Sequence, residues 1–230
     1  MKIWGHPRSG NHFLASVIHE AFYGSDPRFA LQVSAAATGH WSQRQGGAHE
    51  TFGSDPAAGS TTVPWGRLLG SHAWTPPPEL DDAIYIYRDG RDVALSVYHW
   101  NRFRRADEQS LSFSEYLRRP IDWIGSPGFR APRRMLLWEH WRAHVKHWLA
   151  RSDVFAVRYE DVVEDVDGQL RRIATRFGVP LVTTVNGSRP VGWNASEPSS
   201  RVGRWRGRLD DSDIALYNEL VPSAFTGRSE

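Results

Sequence analysis

The sequence predicts an α/β protein, a single domain with a central, mainly parallel sheet flanked by helices. Three observations carry that prediction. Short apolar runs of strand length alternate along the chain with longer stretches of helical periodicity, the pattern of βαβ units. A glycine-bounded turn, Gly5-His6-Pro7-Arg8-Ser9-Gly10, separates the first strand from the first helix, where a phosphate-binding loop belongs. No internal repeat or low-complexity tract divides the 230 residues, so 1–230 reads as one domain, long enough to bury a sizeable core.

The elements follow in order. Residues 2–5 form a short buried strand, and 11–23 a helix with Phe13, Leu14, Val17, Ile18, Ala21 and Phe22 at one-face spacing. From 35 to 62 the chain is rich in Gly, Ala, Ser and Thr without periodicity, which predicts a mobile loop. Residues 67–72 and 83–87 are strands, the second holding Ile84-Tyr85-Ile86-Tyr87 between an acidic pair and Arg88. A helix over 90–105, another over 132–150 and a strand over 154–157 come next. The helix at 166–177 is stopped by Gly178 and Pro180, and a last helix spans 211–220.

Composition narrows the function. With no cysteine, disulfides, thiolate metal sites and cysteine nucleophiles are excluded, and a reducing cytoplasm is the expected compartment. The start, Met1 to Pro7, has no charged n-region followed by an apolar core, and no run approaches the ~18 apolar residues of a membrane span. Net charge is +2, too small to imply a polyanionic partner. Of 28 basic residues only Lys2 and Lys146 are lysine, leaving 26 arginines. Arginine's planar fork suits phosphate and sulfate oxygens, although a GC-rich coding sequence accounts for the same bias. The 11 tryptophans fit either a core or a pocket for a bulky ligand.

Two segments carry chemistry. In the loop, Gly5 to Gly10 matches the first six positions of a nucleoside-triphosphate loop, but Asn11-His12 replaces the Lys-[Ser/Thr] that completes it. The missing lysine reaches β- and γ-phosphates and the missing hydroxyl holds Mg²⁺, so triphosphate hydrolysis loses two working parts. What remains is either a tight turn or a set of amides at a helix N-terminus that binds a phosphate. The second segment is Tyr85-Ile86-Tyr87-Arg88-Asp89-Gly90-Arg91-Asp92-Val93-Ala94-Leu95-Ser96. Arg88 falls at the carboxyl end of a strand, the edge where open α/β sheets bind ligands. The plain alternative is that Arg88, Asp89, Arg91 and Asp92 make solvated ion pairs worth little.

Together these segments resemble the cofactor signature of sulfotransferases that use 3′-phosphoadenosine 5′-phosphosulfate (PAPS). Pro7-Arg8-Ser9-Gly10-Asn11 stands where that family has Pro-Lys-Ser-Gly-Thr around the 5′-phosphosulfate, and Arg88 with Ser96 matches its Arg and Ser, eight apart, for the 3′-phosphate. Trp138 to Trp148 followed by Arg158-Tyr159-Glu160-Asp161 resembles the family's helix and Tyr-Glu-Asp segment, whose tyrosine contacts nucleotide. Arg201-Val202-Gly203 resembles the Arg-Lys-Gly that closes over the 3′-phosphate. The matches keep family order from residue 3 to about 206.

The resemblance implies transfer of a sulfuryl group from PAPS to a hydroxyl, releasing 3′-phosphoadenosine 5′-phosphate (PAP) without a metal. His72 is the general base by family position, and histidine's pKa near 6.5 suits the task. Arg8 joins it in catalysis. Arg8, Ser9, Gly10, Asn11, His12, Phe13, Arg88, Ser96, Tyr159, Arg201, Val202 and Gly203 would hold the nucleotide, with 183–206 closing over it. Trp193 is the stacking residue by position, with Phe177 or Trp205 as alternatives.

The chain departs from the pattern at several points. Arg8 replaces the loop lysine, Gly70 stands where a lysine often precedes the base by two, His12 and Phe13 replace Thr and Trp, and 181–201 is short. A nucleotide kinase, or a nucleotide-binding protein without sulfotransfer, is the alternative on the same loop. Nucleic acid is not expected as a partner, because the arginines are spread rather than striped. The resemblance implies a small-molecule acceptor. Stretches 35–62, with His40, Trp41 and His49, and 100–130, with Trp100, Phe103, Phe113, Tyr116, Trp123 and Phe129, are expected to line its pocket and favour an apolar or aromatic body. The composition suggests a bacterial enzyme of specialised metabolism. No dimer motif is recognisable near the C-terminus, so oligomeric state stays open.

Overall fold

The computed structural model describes residues 2–23, 72–78, 80, 82–102, 109–121, 133–181 and 202–222. Its centre is a three-stranded sheet in the order β1 (Lys2–Gly5), β2 (Ala83–Tyr87), β3 (Phe155–Arg158). Both pairings are parallel, with Ile3 opposite Ile84 and Ile86 opposite Val157. The helices are α1 (Asn11–Tyr23), α2 (Gly90–Arg102), α3 (Phe113–Arg118), α4 (Leu137–Leu149), α5 (Tyr159–Glu164), α6 (Val166–Phe177) and α7 (Asp211–Leu220).

A parallel sheet needs cover on both faces, and β2 is buried along almost its whole length for that reason. Successive strand residues point to opposite faces. Ile3, Ile84, Ile86 and Val157 pack with Leu14 and Ile18 of α1 and with Leu170 and Ile173 of α6. On the other face, Tyr85 packs with Val93 and Val97 of α2 and with Trp138, Trp141 and Trp148 of α4. Fully burying one such isoleucine is worth about 1.5–3 kcal/mol, so the central strand is where the fold is most tightly held.

Helix ends follow their chemistry. Asp165 accepts the Gly168 N–H at 2.9 Å to start α6, and Gly178, left-handed at φ 64°, ends it. Ser112 and Glu115 form a capping box at α3, a helix absent from the expectation, and Asp210 and Asp213 form one at α7. α5, also absent from the expectation, starts directly after β3 at Tyr159. Of the expected strand at 67–72 only His72 is described, without regular secondary structure. The expected loop at 35–62 lies outside the described residues, as do 183–201 of the closing segment.

The expected aromatic lining of the acceptor pocket divides. Tyr116 is buried and packs on Tyr98 at 5.4 Å, and Phe113 packs on the same ring at 5.0 Å, so both contribute to the core behind α2. Trp100 is exposed, and Phe103, Trp123 and Phe129 lie outside the described residues. Because all three strands run the same way, their carboxyl ends share one edge. There β1 opens into 6–10, β2 into Arg88-Asp89 and β3 into Tyr159.

Candidate active site

The chain leaves β1 at Gly5 and turns at once, the Ser9 N–H donating to the His6 carbonyl at 3.1 Å before Leu14 N–H to Gly10 carbonyl, 3.0 Å, begins α1. Two residues in this turn have positive φ, Arg8 at 69° and Gly10 at 102°. A left-handed non-glycine costs on the order of 1–3 kcal/mol, which the surrounding fold must hold in place. At Gly10 only glycine fits, since a Cβ there would run into the ring of Tyr159. Ser9 and Asn11 are buried, and neither Ser9 Oγ nor Asn11 Oδ1 has a hydrogen-bond partner among the described residues.

Arg8 reaches across the edge. Its Nε donates to Ser96 Oγ of α2 at 3.0 Å, and its guanidinium lies 4.7 Å over the ring of Trp100. This bond joins the loop to the far end of the second segment, 88 residues away in sequence.

Arg88 and Asp92 are not solvated. They are 6% and 2% exposed, with Arg88 Nη2 3.4 Å from Asp92 Oδ2. The Arg88 guanidinium lies 4.6 Å over the Tyr159 ring, which also meets Phe13 edge-on at 5.5 Å, so one tyrosine joins loop, helix and cation. Asp92 accepts the backbone N–H groups of Gly203 at 2.7 Å and Trp205 at 3.2 Å. Burial pushes its carboxyl pKa up, opposed by Arg88 and by these two N–H groups. Beside it, Arg91 grips Asp89 with Nη2 to Oδ2 at 2.7 Å and stacks 3.8 Å over Trp205, while Glu160 accepts the Asp89 N–H at 3.0 Å.

His72 stands beside the loop, its Nδ1 2.6 Å from the Gly5 carbonyl oxygen. A carbonyl only accepts, so in the neutral ring Nδ1 carries the proton and Nε2 keeps a lone pair. His12, on the first turn of α1, has its pKa lowered to about 4 by burial first and then by His72 and Arg8. It is therefore neutral at physiological pH.

The residues expected to act together thus converge from four parts of the chain: the loop from Arg8 to Phe13, His72, the Arg88–Ser96 segment, and Tyr159 with Gly203. Within that group Phe13 is buried in the core and Val202 is exposed. Trp193 and Arg201 lie outside the described residues. Of the two alternative stacking residues, Phe177 packs edge-on against Phe155 at 6.0 Å and Trp205 lies under Arg91. Sequence reading missed Asp92 and Glu160, which tie the arginine segment to 203–205 and to α5. The i,i+4 spacing of Arg88 and Asp92 was the available signal for the first of them. It missed Trp100 as a support for Arg8, and the buried histidines behind the loop.

Fold and edge chemistry together define an α/β protein of the kind that binds its ligand at the carboxyl ends of a parallel sheet. Residues 77–188 match the family model of the sulfotransferase domain. Sulfotransferase 1C2 of Oryctolagus cuniculus is 26% identical over 132 residues, covering 54% of this chain and 41% of the relative. Sulfotransferase 1A1 of Bos taurus is 29% identical over 128 residues, 52% of this chain and 40% of the relative. The matched stretch therefore spans about two fifths of these relatives' own length. The solved structure of retinol dehydratase in a complex with retinol and PAP superposes with a TM-score of 0.55 at 17% identity, covering 99% of this chain and 81% of that one. Mouse sulfotransferase SULT7A1 complexed with PAP gives 0.53 at 15% identity, with 95% and 82% covered. The likeness to these two is one of fold. Over the stretch they cover, the chain is similar in sequence to sulfotransferases, and over nearly its whole length it is similar to them in fold.

Proposed function

We propose that this protein transfers a sulfuryl group from PAPS to a hydroxyl of a small-molecule acceptor, leaving PAP, with His72 as the general base. The observation that carries the reading is the meeting of two arginine-bearing elements and the 203–205 backbone at one sheet edge. The Arg8 loop bonds Ser96, Arg88 lies beside it at the end of β2, and Asp92 of the same segment draws in the backbone of Gly203 and Trp205. A nucleotide with phosphates at both 5′ and 3′ positions needs two such cationic subsites.

The loop's own chemistry fits that group. Burying Ser9 Oγ and Asn11 Oδ1 without partners costs about 1–3 kcal/mol each, a cost that polar ligand atoms would remove. Loop amides at the start of α1, together with the Arg8 guanidinium, suit phosphosulfate oxygens. Bound PAPS supplies the activated sulfuryl group and a phosphate leaving group. The chain supplies the rest. His72, with its Nδ1 proton committed to Gly5, offers Nε2 to an acceptor hydroxyl and takes its proton. His12, neutral beside it, adds no charge to compete for that proton. Arg88 is assigned to the 3′-phosphate, with Ser96 and Arg201, and Tyr159 lies against its guanidinium, while the Gly203 N–H is already held by Asp92.

The acceptor reading is a hydroxyl-bearing small molecule with an apolar or aromatic body. Solved neighbours were crystallised with retinol or androsterone, and here Trp100 stands exposed next to Arg8. No helix among the described residues is long and apolar enough to cross a membrane. We read residues 1–230 as one domain acting in the cytoplasm, with 35–62 and 183–206 as its covering segments.

The test is calorimetric titration with PAP and, separately, with ATP plus Mg²⁺, for the native protein and for Arg88→Ala. Micromolar binding of PAP, weakened at least about 10-fold in folded Arg88→Ala and without comparable ATP binding, supports the assignment. Absence of PAP binding by the folded native protein overturns it.

A further inference from the structure

α4 packs on the sheet with Trp138, Trp141, Val145 and Trp148, and the helix carries Arg142, Ala143, Lys146 and His147 away from that packing. Residues 133 and 135, just before α4, and Pro222, just after α7, share with them a cavity of about 480 Å³. Its charged and titratable lining is Arg133, Arg142, Lys146 and His147, and its apolar lining is Met135, Ala143 and Pro222. Backbone bonds fix the walls. Ile121 N–H donates to the Met135 carbonyl at 2.9 Å, and Val221 N–H, next to Pro222, donates to the Tyr217 carbonyl at 2.8 Å.

We propose that this cavity binds a small organic anion: a carboxylate, phosphate or sulfate carried on an apolar body. None of its lining residues belongs to the Arg8 loop, the Arg88–Ser96 segment, His72 or Tyr159, so the inference stands apart from the sulfotransfer reading.

Charge decides the sign of the ligand. Arg88, Arg91, Arg118, Arg151 and Arg158 each pair with a carboxylate. Arg133, Arg142 and Lys146 have no such partner among the described residues, and no acid is among the lining residues. Glu139, the acid nearest Arg142 in α4, bonds the Leu136 N–H instead, at 2.8 Å. Lys146 suits the last turn of a helix, where the dipole favours a cation. Arg142 has no such account: it is half-buried in the middle of α4, one turn from Lys146, where like charges repel. An anion between the two removes that repulsion and gives both a charge-assisted bond. The rest of the lining decides the body of the ligand. Met135 is buried, and Met135, Ala143 and Pro222 present carbon and sulfur to the cavity, surfaces that suit a hydrocarbon or aromatic group. The volume falls within the roughly 300–1,000 Å³ of small-molecule sites. A polyanion would instead follow a charged stripe across the surface. On its inner side the cavity adjoins the stretch that carries His72, for His147 Nδ1 lies 3.4 Å from the Trp74 carbonyl and its ring meets Trp74 edge-on at 5.2 Å.

Calorimetric titration with naphthalene-1-sulfonate, with the uncharged naphthalene-1-sulfonamide and with inorganic sulfate separates charge from body. The sulfonate is expected to bind the native protein with or without PAP present, and to bind more weakly as salt is raised. The sulfonamide and inorganic sulfate are each expected to bind at least about 10-fold more weakly than the sulfonate. The double variant Arg142→Gln, Lys146→Gln is expected to lose at least about 10-fold in sulfonate affinity while its PAP titration stays that of the native protein. Lys146→Gln alone, at an exposed position, decides the question by a smaller loss if the double variant fails to fold. No binding of the sulfonate at ~5 mM overturns the proposal, as does undiminished affinity in the folded variants. Sulfonamide or sulfate that binds as tightly as the sulfonate overturns it too, since one half of the ligand would then suffice. Loss of PAP binding in the folded double variant would make the cavity part of the nucleotide site and end its separate standing. Native protein that binds the sulfonate through these residues but does not bind PAP removes the sulfotransferase reading and keeps the cavity. Native protein that binds PAP and not the sulfonate does the reverse.

Discussion

Asp92 is the residue whose role changes most between sequence and structure. In the sequence it is one acid in an alternating run, where an ion pair is worth little if solvated. In the fold it is buried beside Arg88 and accepts two backbone N–H groups from residues more than a hundred positions later. Sequence spacing puts Arg88 only four residues from Asp92, but it cannot show the Gly203 partner, which exists only once the chain has returned. Substituting Asn keeps the shape, removes the charge facing Arg88 and leaves one acceptor where there were two. Asp92→Asn is therefore expected to weaken PAP binding about 10-fold by loosening 203–205, measured by calorimetry on protein whose melting is checked first. Unchanged affinity would mean that the closing segment plays no part in nucleotide binding.

Among elements, those with a long periodic face were legible and those made by a few local bonds were not. The 13 residues of α1 and the 12 of α6 present apolar positions at helical spacing, and their observed bounds agree with the expectation. α3 has six residues, too few for a period, although Ser112 and Glu115 spell a capping box. Its place in the molecule comes from a tertiary bond that no local pattern reveals: Ser114 Oγ donates to Asp213 Oδ1 of α7 at 2.8 Å, and Arg118 pairs with the same carboxylate. Asp213 is buried, whereas Arg118 is partly exposed and can return to water once its partner is gone. Asp213→Ala is thus expected to cost about 1–2 kcal/mol, the scale of lost hydrogen bonds, and not the 3–5 kcal/mol of a stranded buried charge. Urea unfolding of the variant measures it. A loss above that range would mean that α3 and α7 depend on each other for folding.

For the whole molecule, the loop after β1 and the arginine after β2 were legible because a parallel sheet brings its strand ends to one edge whatever the loops do. The histidine cluster was not, since ten histidines carry no periodic signal and only the packing of α4 on the sheet selects His6, His140 and His144 from them. That packing makes the fold acid-sensitive. His12 has its pKa lowered to about 4, and His6 and His144 are lowered well below 6.5, in each case by burial first. A group whose folded pKa lies below its unfolded value binds more protons when unfolded, so stability falls as pH drops below about 6.5. For His12 the loss continues to about pH 4, below which both states are protonated and the slope ends. Asp92 and Glu160, raised by burial, act with the opposite sign nearer the carboxylate range, which leaves about pH 5 to 6.5 as the window in which the histidines dominate. Between pH 7 and 5 His12 alone is worth about 2 kcal/mol, and the two cluster histidines add in the same direction. Urea midpoints at pH 7, 6 and 5 should therefore fall steeply for the native protein and less steeply for His12→Gln. Equal midpoints at pH 7 and pH 5 would mean that the rings take up protons in the folded state and that the interior behind the loop is open to water.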